Sequence, residues 1–578
     1  MQHFYCNFVA YFSLKRLKHI FNALLWTLVC LYFVVVLLLH IPAIESFVGY
    51  QVSSRITQKL GTKVQIGRVD LGFLNRLILD DVLIYDQSSQ KMLQISRMSA
   101  KFDILPIAQG KISISSAQLF GLKANLYKKT ALSKPNYQFA IDSLASHDTT
   151  RHAPLDLQIK SLIIRHGSIK YDQMDTPFHS KVFDLHHLDI RDISSHIILH
   201  RITNDSININ IKNLAFNETS GLNVKSLKLK LIANKKTAIL SHFLLELPHT
   251  QLLSDKIKAT YIFDEGKIKN SSLKYEGSIG NSFITLSDLK SFIKGISGFV
   301  HPLYINSTFA GTNSMLRINS LNVKASNKNV NLQVNGSISN LNSKPRWFAN
   351  ISLLKMSAQG IKFIADNLKE CFNLPKEVTR LGDITFRGRI GGCDDTLSTI
   401  GIIHTNIGQA NIAFGKRGNH FTANLETKQL NLRQLFDNNK FGDFYTQISV
   451  KGVFPSKTNR QLYLQANGNI SHIFYNGYLY KDIKINGKYQ NSILDGFFNI
   501  DDPNVKIMAK GQLKLSLNYP FANFHAIVKD FSPSALGLTS RWPNTKFNGC
   551  IYADFIGRSL STVNGKLDIT DFSMKSVG

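Results

Sequence analysis

Cysteine, acidic residues and catalytic signatures are what this 578-residue chain has little of. Five cysteines, at positions 6, 30, 371, 393 and 550, are too few for a disulfide framework and show no zinc-ligand spacing. Cys371 and Cys393 are the one pair whose bridging an oxidising compartment would allow, and spacing does not fix their geometry. Asp and Glu number 39 against 68 Lys and Arg, a formal charge of +29. Nucleic-acid binding is one reading of that excess, but the chain has no helix-turn-helix pattern and no stacking aromatics of an RNA-recognition sheet. Attraction to anionic lipid head groups and a solvated, Lys-rich face that discourages edge-to-edge strand pairing both stay open. No Gly-x-Ser-x-Gly elbow, phosphate-cradling glycine loop or helical His-Glu-x-x-His is present. His147, His152, His179, His186 and His187 cluster without converging carboxylates or cysteines and read as surface or loop residues. Asp501-Asp502 precedes Pro503 and reads as a turn, not as a catalytic carboxylate pair. The expectation is a protein with no enzymatic activity, no metal and no cofactor.

Charge is absent altogether between Lys18 and Glu45. The apolar run over residues 20–44 is long enough to cross a hydrocarbon core of about 30 Å, and longer than the apolar region of a cleaved signal peptide. Lys15, Arg16 and Lys18 precede it, which predicts residues 1–19 in the cytoplasm and the bulk on the far side, the periplasm of a Gram-negative cell. Ile44, Val48, Val52, Ile56 and Leu60 then recur every four residues, predicting a membrane-proximal helix over 45–60 stopped by Gly61.

From residue 61 to 578 the chain is dominated by apolar/polar alternation. Ile207, Ile209 and Ile211 alternate with Asn208, Asn210 and Lys212; Val330, Leu332 and Val334 with Asn331, Gln333 and Asn335; Leu513, Leu515 and Leu517 with Lys514 and Ser516. Side chains of a strand point to opposite faces with period two, so each run is a strand with one oily and one wet face. These aliphatics, with Ile507, are the candidate functional residues, as the lining of an apolar groove. Periodicity alone does not separate an open groove from a closed sandwich core.

Two helices are predicted within the array. One spans 287–298, from Leu289, Phe292, Ile293 and Ile296 with Ser287 as N-cap. The other spans 360–372, from Ile361, Ile364, Ala365, Leu368 and Phe372. The cluster of small polar residues over 143–154 reads as a loop. Glycine recurs in similar strand contexts at Gly277, Gly336, Gly468 and Gly511, where a bulge or bend is expected. The spacing is too irregular for a fixed-period solenoid. Alternation of this length without a clear boundary suggests a body growing in one dimension, strand upon strand.

The order anchor, short helix, Val64-Gln65-Ile66-Gly67-Arg68-Val69-Asp70-Leu71-Gly72-Phe73, then Leu79-Asp80-Asp81-Val82-Leu83-Ile84-Tyr85-Asp86, resembles the N-terminus of the AsmA-like superfamily, and more closely its TamB-like branch from Bacteroides-type bacteria. Tyr480-Lys481-Asp482-Ile483-Lys484-Ile485-Asn486-Gly487-Lys488-Tyr489-Gln490, Asp501-Asp502-Pro503-Asn504-Val505-Lys506 and the stretch from Gly360 through Leu374-Pro375-Lys376-Glu377 to Gly382 are similar to that branch as well. The resemblance implies a mainly β protein. Its N-terminal transmembrane helix is followed by an elongated taco-shaped β-groove of stacked strands, with a few short amphipathic helices. It implies a single-pass inner-membrane protein of outer-membrane biogenesis that moves phospholipid between the two membranes along the groove. The alternative it carries is a scaffold assembling outer-membrane β-barrel proteins with a TamA-like partner. TamB-like proteins are usually much longer and end in a distinctive domain that meets that partner, so the sequence reads as an N-terminal portion.

Overall fold

Alternation does become strand here. The computed structural model of the protein describes residues 2–39, 41–72, 75–103, 113–145, 158–178, 182–203, 206–264, 267–293, 296, 298–367, 376–455, 461–514, 520–557 and 563–576. The fold is mainly β, opened by an N-terminal helix over Gln2–Leu39. Within that helix Lys18–Val35 is apolar and long enough to cross a membrane. The chain divides into two units, Met1–Lys256 with Asp288–Lys294, and Ile257–Ser287 with Gly295–Gly578.

In the first unit a second helix, Pro42–Leu60, begins with Pro42 in its first turn and ends at Gly61, whose φ of 66° only a residue without a Cβ adopts freely. The Gly61 N–H donates to the Thr57 carbonyl at 2.9 Å. Its stripe of Val48, Val52, Ile56 and Leu60 packs on a dry cluster of Val64, Ile66, Val69, Val82, Ile95 and Leu122. The strand Ser161–Gln173 runs parallel to Ser113–Phe120 and to Lys123–Lys128. From His187–Thr203 onward the pairing is antiparallel, through Ser206–Glu218 and Ser226–Asn234 to Thr237–Glu246.

In the second unit the strands from Lys274–Ile284 to Asn564–Ser576 form an antiparallel series in which each strand pairs with the next. At a spacing of about 4.8 Å, such a series extends roughly 80 Å in the hydrogen-bonding direction. One end of the series carries mostly short connections, such as Arg417 to His420. The other end carries the helices Ala358–Asn367 and Leu432–Phe436 and the loop 532–544. Asn431 caps the second of these helices, its Oδ1 accepting from the Gln434 N–H at 3.2 Å. Leu536 in the loop is almost fully buried against Ile470, Ile483, Ile500 and Val505.

The helix expected over 287–298 is not there as such. The segment forms a 3-10 turn over Leu286–Leu289, and one further turn closes where the Ile293 N–H meets the Leu289 carbonyl. Its polar groups are spent on tertiary contacts. Ser291 Oγ donates to the Ser220 carbonyl at 2.8 Å, the Ser291 carbonyl accepts from Phe183 N–H, and the Asp288 carboxylate accepts from His249 N–H at 2.8 Å. Gly295 and Gly298 further lower the propensity to continue. The second expected helix forms over Ala358–Asn367, its remainder to Phe372 lying outside the described residues. Of the predicted loop over 143–154, residues 143–145 close the helix Gln138–Ala145 and the rest lies outside the described residues.

Candidate functional site

The candidate site is the apolar face of the sheet, and cross-strand register defines it without reference to shape. In the second unit Leu332 stands opposite Leu354, which stands opposite Phe386, then Ile403 and Ala410. The row continues through Thr427, Thr446, Ile470, Ile483, Ile500, Ile507 and Val528. Residues paired across a sheet share a face, so Leu332 and Ile507, 175 positions apart in the numbering, line one track. A second row runs in step from Val334 through Ile351, Gly388, Gly401 and Ile412 to Ile485, Phe498 and Ala526. A third starts at Gly336 and Ala349, and a fourth at Ile338 and Trp347. Leu513 belongs to the fourth, opposite Leu494 and Ala522. From Val330–Ser339 to Asn564–Ser576, the one charged side chain in these four rows is Lys416, opposite Leu397 and Phe421.

Exposure grades across the face. Ile483 in the first row is 5% exposed, Ile485 in the second 36%, and Leu494 and Leu513 in the fourth 41% and 40%. A sandwich core would hold all four near zero. Leu332, Val334, Ile351 and Ile412 are half-buried.

Beside the first row, on one flank or the other, the period changes. Apolar positions step by three instead of two, from Ile470 to Ile473, from Val528 to Phe531 and from Ile351 to Leu354, and the pairing slips there. Where the middle residue is Asp, it takes left-handed backbone: Asp482 at φ 52°, Asp530 at 53° and Asp571 at 51°. A bulge leaves the apolar side chains on the same face but bends the strand. In register the slips fall beside the first row, so the sheet is creased along a line. Phe444, Ile473, Tyr480 and Phe531 beyond the crease pack on the cluster that holds Ile470, Ile483 and Ile500 of the row itself.

Glycines in the rows lie close under rings or under the facing backbone. A Cβ on Gly401 would stand 2.5 Å from the Phe386 ring and 2.5 Å from the Arg387 carbonyl oxygen, and one on Gly511 would meet Phe524 at 2.5 Å. Of the expected strand glycines, Gly277 lies under the Phe309 ring, whereas Gly336 and Gly511 sit against the backbone of the facing strand, too near for any side chain.

Ile209 and Ile211 lie in the first unit, opposite Leu199 and Ile197 on one side and Leu231 and Leu229 on the other. Ile207, 37% exposed, stands opposite Ala233. Val330 pairs with Met356. Leu515 and Leu517 lie outside the described residues, as do Cys371, His147, His152 and His179. Among the described residues no group of three His, Cys, Asp or Glu side chains is placed to hold a metal. His187 Nδ1 instead meets Asp172 Oδ1 at 2.8 Å, and His186 Nδ1 meets Gln173 Oε1 at 3.1 Å. Asp502 is a turn residue, fully buried, accepting from Tyr478 Oη, Lys481 N–H and Asn504 N–H. The three-residue steps and the uncharged rows went unread in the sequence, although a Lys-Asp inserted between two apolar positions marks the first and a strand-by-strand alignment would have found the second.

Compared with models of protein families, with curated proteins and with solved structures, the chain matches none.

Proposed function

We propose that the protein is a membrane-anchored conduit for phospholipid, of the AsmA-like, TamB-like kind that its sequence resembles. The observation that carries this reading is the set of four rows, apolar but for Lys416 and increasingly exposed from the first to the fourth, running strand after strand across the second unit. An acyl chain laid on such a face gains about 0.8 kcal/mol per methylene removed from water. Because each strand offers the same apolar chemistry as the next, that gain changes little along the track, and the chain slides without a large barrier. Head groups stay in water beyond the rim. The helix over Lys18–Val35 anchors the protein in the inner membrane, N-terminus inside, with the sheet in the periplasm and the outer membrane as the second terminus of transport.

Photo-crosslinkers placed at Val334, Ile412 and Ile485 test this. All three should capture phospholipid, identified by mass spectrometry, while crosslinkers at Asn335, Asn411 and Lys484 on the opposite face should not. Equal labelling of the two faces would falsify the conduit.

A second reading, a scaffold for outer-membrane β-barrel proteins working with a TamA-like partner, draws on the strand Asn564–Ser576. Among the described residues it pairs on one side alone, with Thr545–Ile556, and exposes Leu567, Ile569, Phe572 and Met574. Recovery of β-barrel segments, rather than lipid, from crosslinkers at Leu567 and Ile569 would favour it.

A further inference from the structure

The opposite, wetter face of the second unit carries a feature that the conduit does not use. Near the hairpin ends of five consecutive strands, a cavity of about 600 Å³ opens between the strands Arg346–Met356 and His420–Asn431. Two register rows build it. Arg346 stands opposite Cys393, then Thr396, Arg417 and His420; one step inward Phe348 stands opposite Gly391, then Ser398, Gly415 and Thr422. Alternation puts both rows on the same face, and the residues between them, Trp347, Gly392, Leu397, Lys416 and Phe421, also border the cavity.

The floor is open because two of its five positions are glycine. A Cβ on Gly415 would already press Thr422 Oγ1 at 3.2 Å, and one on Gly391 would reach the Phe348 ring at 3.7 Å. Phe348 is 46% exposed, an aromatic wall in water. Arg346, Arg417 and His420 ring the opening, and none has an ion-pair partner among the described residues. Of the two nearby carboxylates, Asp394 is held by Lys344 Nζ at 2.8 Å and Asp395 lies on the hairpin by Gly418. The Thr422 hydroxyl borders the cavity; that of Thr396 is committed to the Cys393 carbonyl at 2.7 Å.

We infer that this cavity binds a phosphoryl group attached to an apolar or glycerol moiety. Two guanidinium forks offer paired N–H donors that match phosphate oxygens, which a lysine ammonium does not. The imidazole and the Thr422 hydroxyl add donors, and Phe348 supplies a surface for the ester portion. The chemistry is shared by a soluble phosphate ester and by a phospholipid head group. This inference does not rest on the acyl track, which lies on the other face.

The test uses the full chain in detergent, titrated calorimetrically with inorganic phosphate, glycerol 3-phosphate and a short-chain phosphatidylglycerol below its micellar concentration. The pocket variant Arg346→Gln/Arg417→Gln is compared with Lys484→Gln/Lys488→Gln, which removes the same charge from exposed positions elsewhere on that face. Saturable binding of at least one ligand, weakened tenfold or more in the pocket variant and less than twofold in the control, is expected. Binding of all three assigns the site to phosphate itself; binding of phosphatidylglycerol alone assigns it to a lipid head group. Equal weakening in both variants, or no saturable binding of any of the three, overturns the site. Lipid crosslinking at Val334 is read in parallel, and its loss would sink the conduit while leaving this site standing.

Discussion

Asp482 and Asp530 stand three strands apart in the same crease, with nearly identical left-handed backbone, φ 52° and 53°. Their neighbours repeat too: Tyr480-Lys481-Asp482-Ile483 and Val528-Lys529-Asp530-Phe531 both set Lys-Asp between two apolar residues of one face. The strands run in opposite directions, so the repeat is not a duplicated strand. It is one geometric solution used twice. An ordinary L-residue pays about 1–2 kcal/mol to enter that region, and a short polar side chain that satisfies local backbone lowers the penalty. The same spacing recurs at Leu79-Asp80-Asp81-Val82 and Ile190-Arg191-Asp192-Ile193 in the first unit, with Asp81 and Asp192 at φ 55° and 56°.

Backbone strain, not side-chain contact, should therefore dominate substitution at Asp482. Asp482→Gly relieves the strain and should leave local stability within a few tenths of a kcal/mol, whereas Asp482→Val, β-branched, should cost about 2 kcal/mol. Hydrogen exchange of peptides covering 478–502 reads this locally, which suits a long array that does not unfold in one step. Equal protection in the two variants would remove the bulge as the cause of the crease.

The strands were legible because alternation is a local signal: Val330 to Val334 shows its oily and wet faces within five residues. The creases were less so, because a step of three between Ile470 and Ile473 resembles a lapse in alternation until the pairing of both neighbours is known. The helix expected at 287–298 failed for a related reason. Leu289, Phe292, Ile293 and Ile296 have helical spacing, but Ser291 and Asp288 bond to partners 71 and 39 residues away, and no window on the sequence sees those partners. The candidate site was half legible. Individual linings such as Leu332 and Ile507 could be named, but their membership in one row depends on a chain of ten cross-strand pairings.

Asp502 holds the hairpin Asp502-Pro503-Asn504-Val505 from inside. Fully buried, it accepts from Tyr478 Oη at 2.6 Å, from Lys481 N–H at 3.0 Å and from Asn504 N–H at 2.9 Å. Burial first, and then the neighbouring carboxylate, push the Tyr478 hydroxyl above its ordinary pKa. Asp502→Ala strands three donors, each costing roughly 1–3 kcal/mol if left dry. Tyr478→Phe alone should cost less, and the double variant less than the sum, since the two changes share one bond. Additive losses, measured by exchange over 478–510, would mean that the tyrosine and the carboxylate act independently.

The His187–Asp172 pair predicts a pH window. The Asp172 carboxylate, hydrogen-bonded at 2.8 Å, raises the imidazole above its ordinary 6.5, and the imidazole in turn lowers Asp172 below 3.8. A raised histidine stabilises the fold fully below 6.5 and loses that contribution as pH climbs through its folded value. A lowered carboxylate stabilises the fold above 3.8 and loses its contribution as pH falls through its folded value. The pair is thus strongest between about pH 4 and 6.5 and weakens on both sides. Exchange protection of the strand Ser161–Gln173 should follow this profile, and His187→Gln should flatten its alkaline limb. An unchanged alkaline limb in that variant would place the titration elsewhere.

Under the proposed conduit, charge in the track should stop transport without unfolding the sheet. Ile209→Glu with Ile211→Arg puts two opposite charges on one face of the strand Ser206–Glu218, where Leu199, Ile197, Leu231 and Leu229 stand opposite. The carboxylate and guanidinium are two residues apart on the same face, close enough to pair, so the sheet need not bury an isolated charge. An acyl chain crossing them must displace their water and finds no apolar substitute. At several kcal/mol per desolvated ion, that barrier slows passage by orders of magnitude. The variant should keep the strand content of the parent by circular dichroism, lose lipid crosslinking at the facing Leu231, and leave the outer-membrane permeability barrier compromised. The isosteric control Ile209→Val/Ile211→Val should behave as the parent. If the charged variant still loads Leu231 with lipid at the parental level, acyl chains do not travel over Ile209 and Ile211, and this face serves some purpose other than a path for lipid.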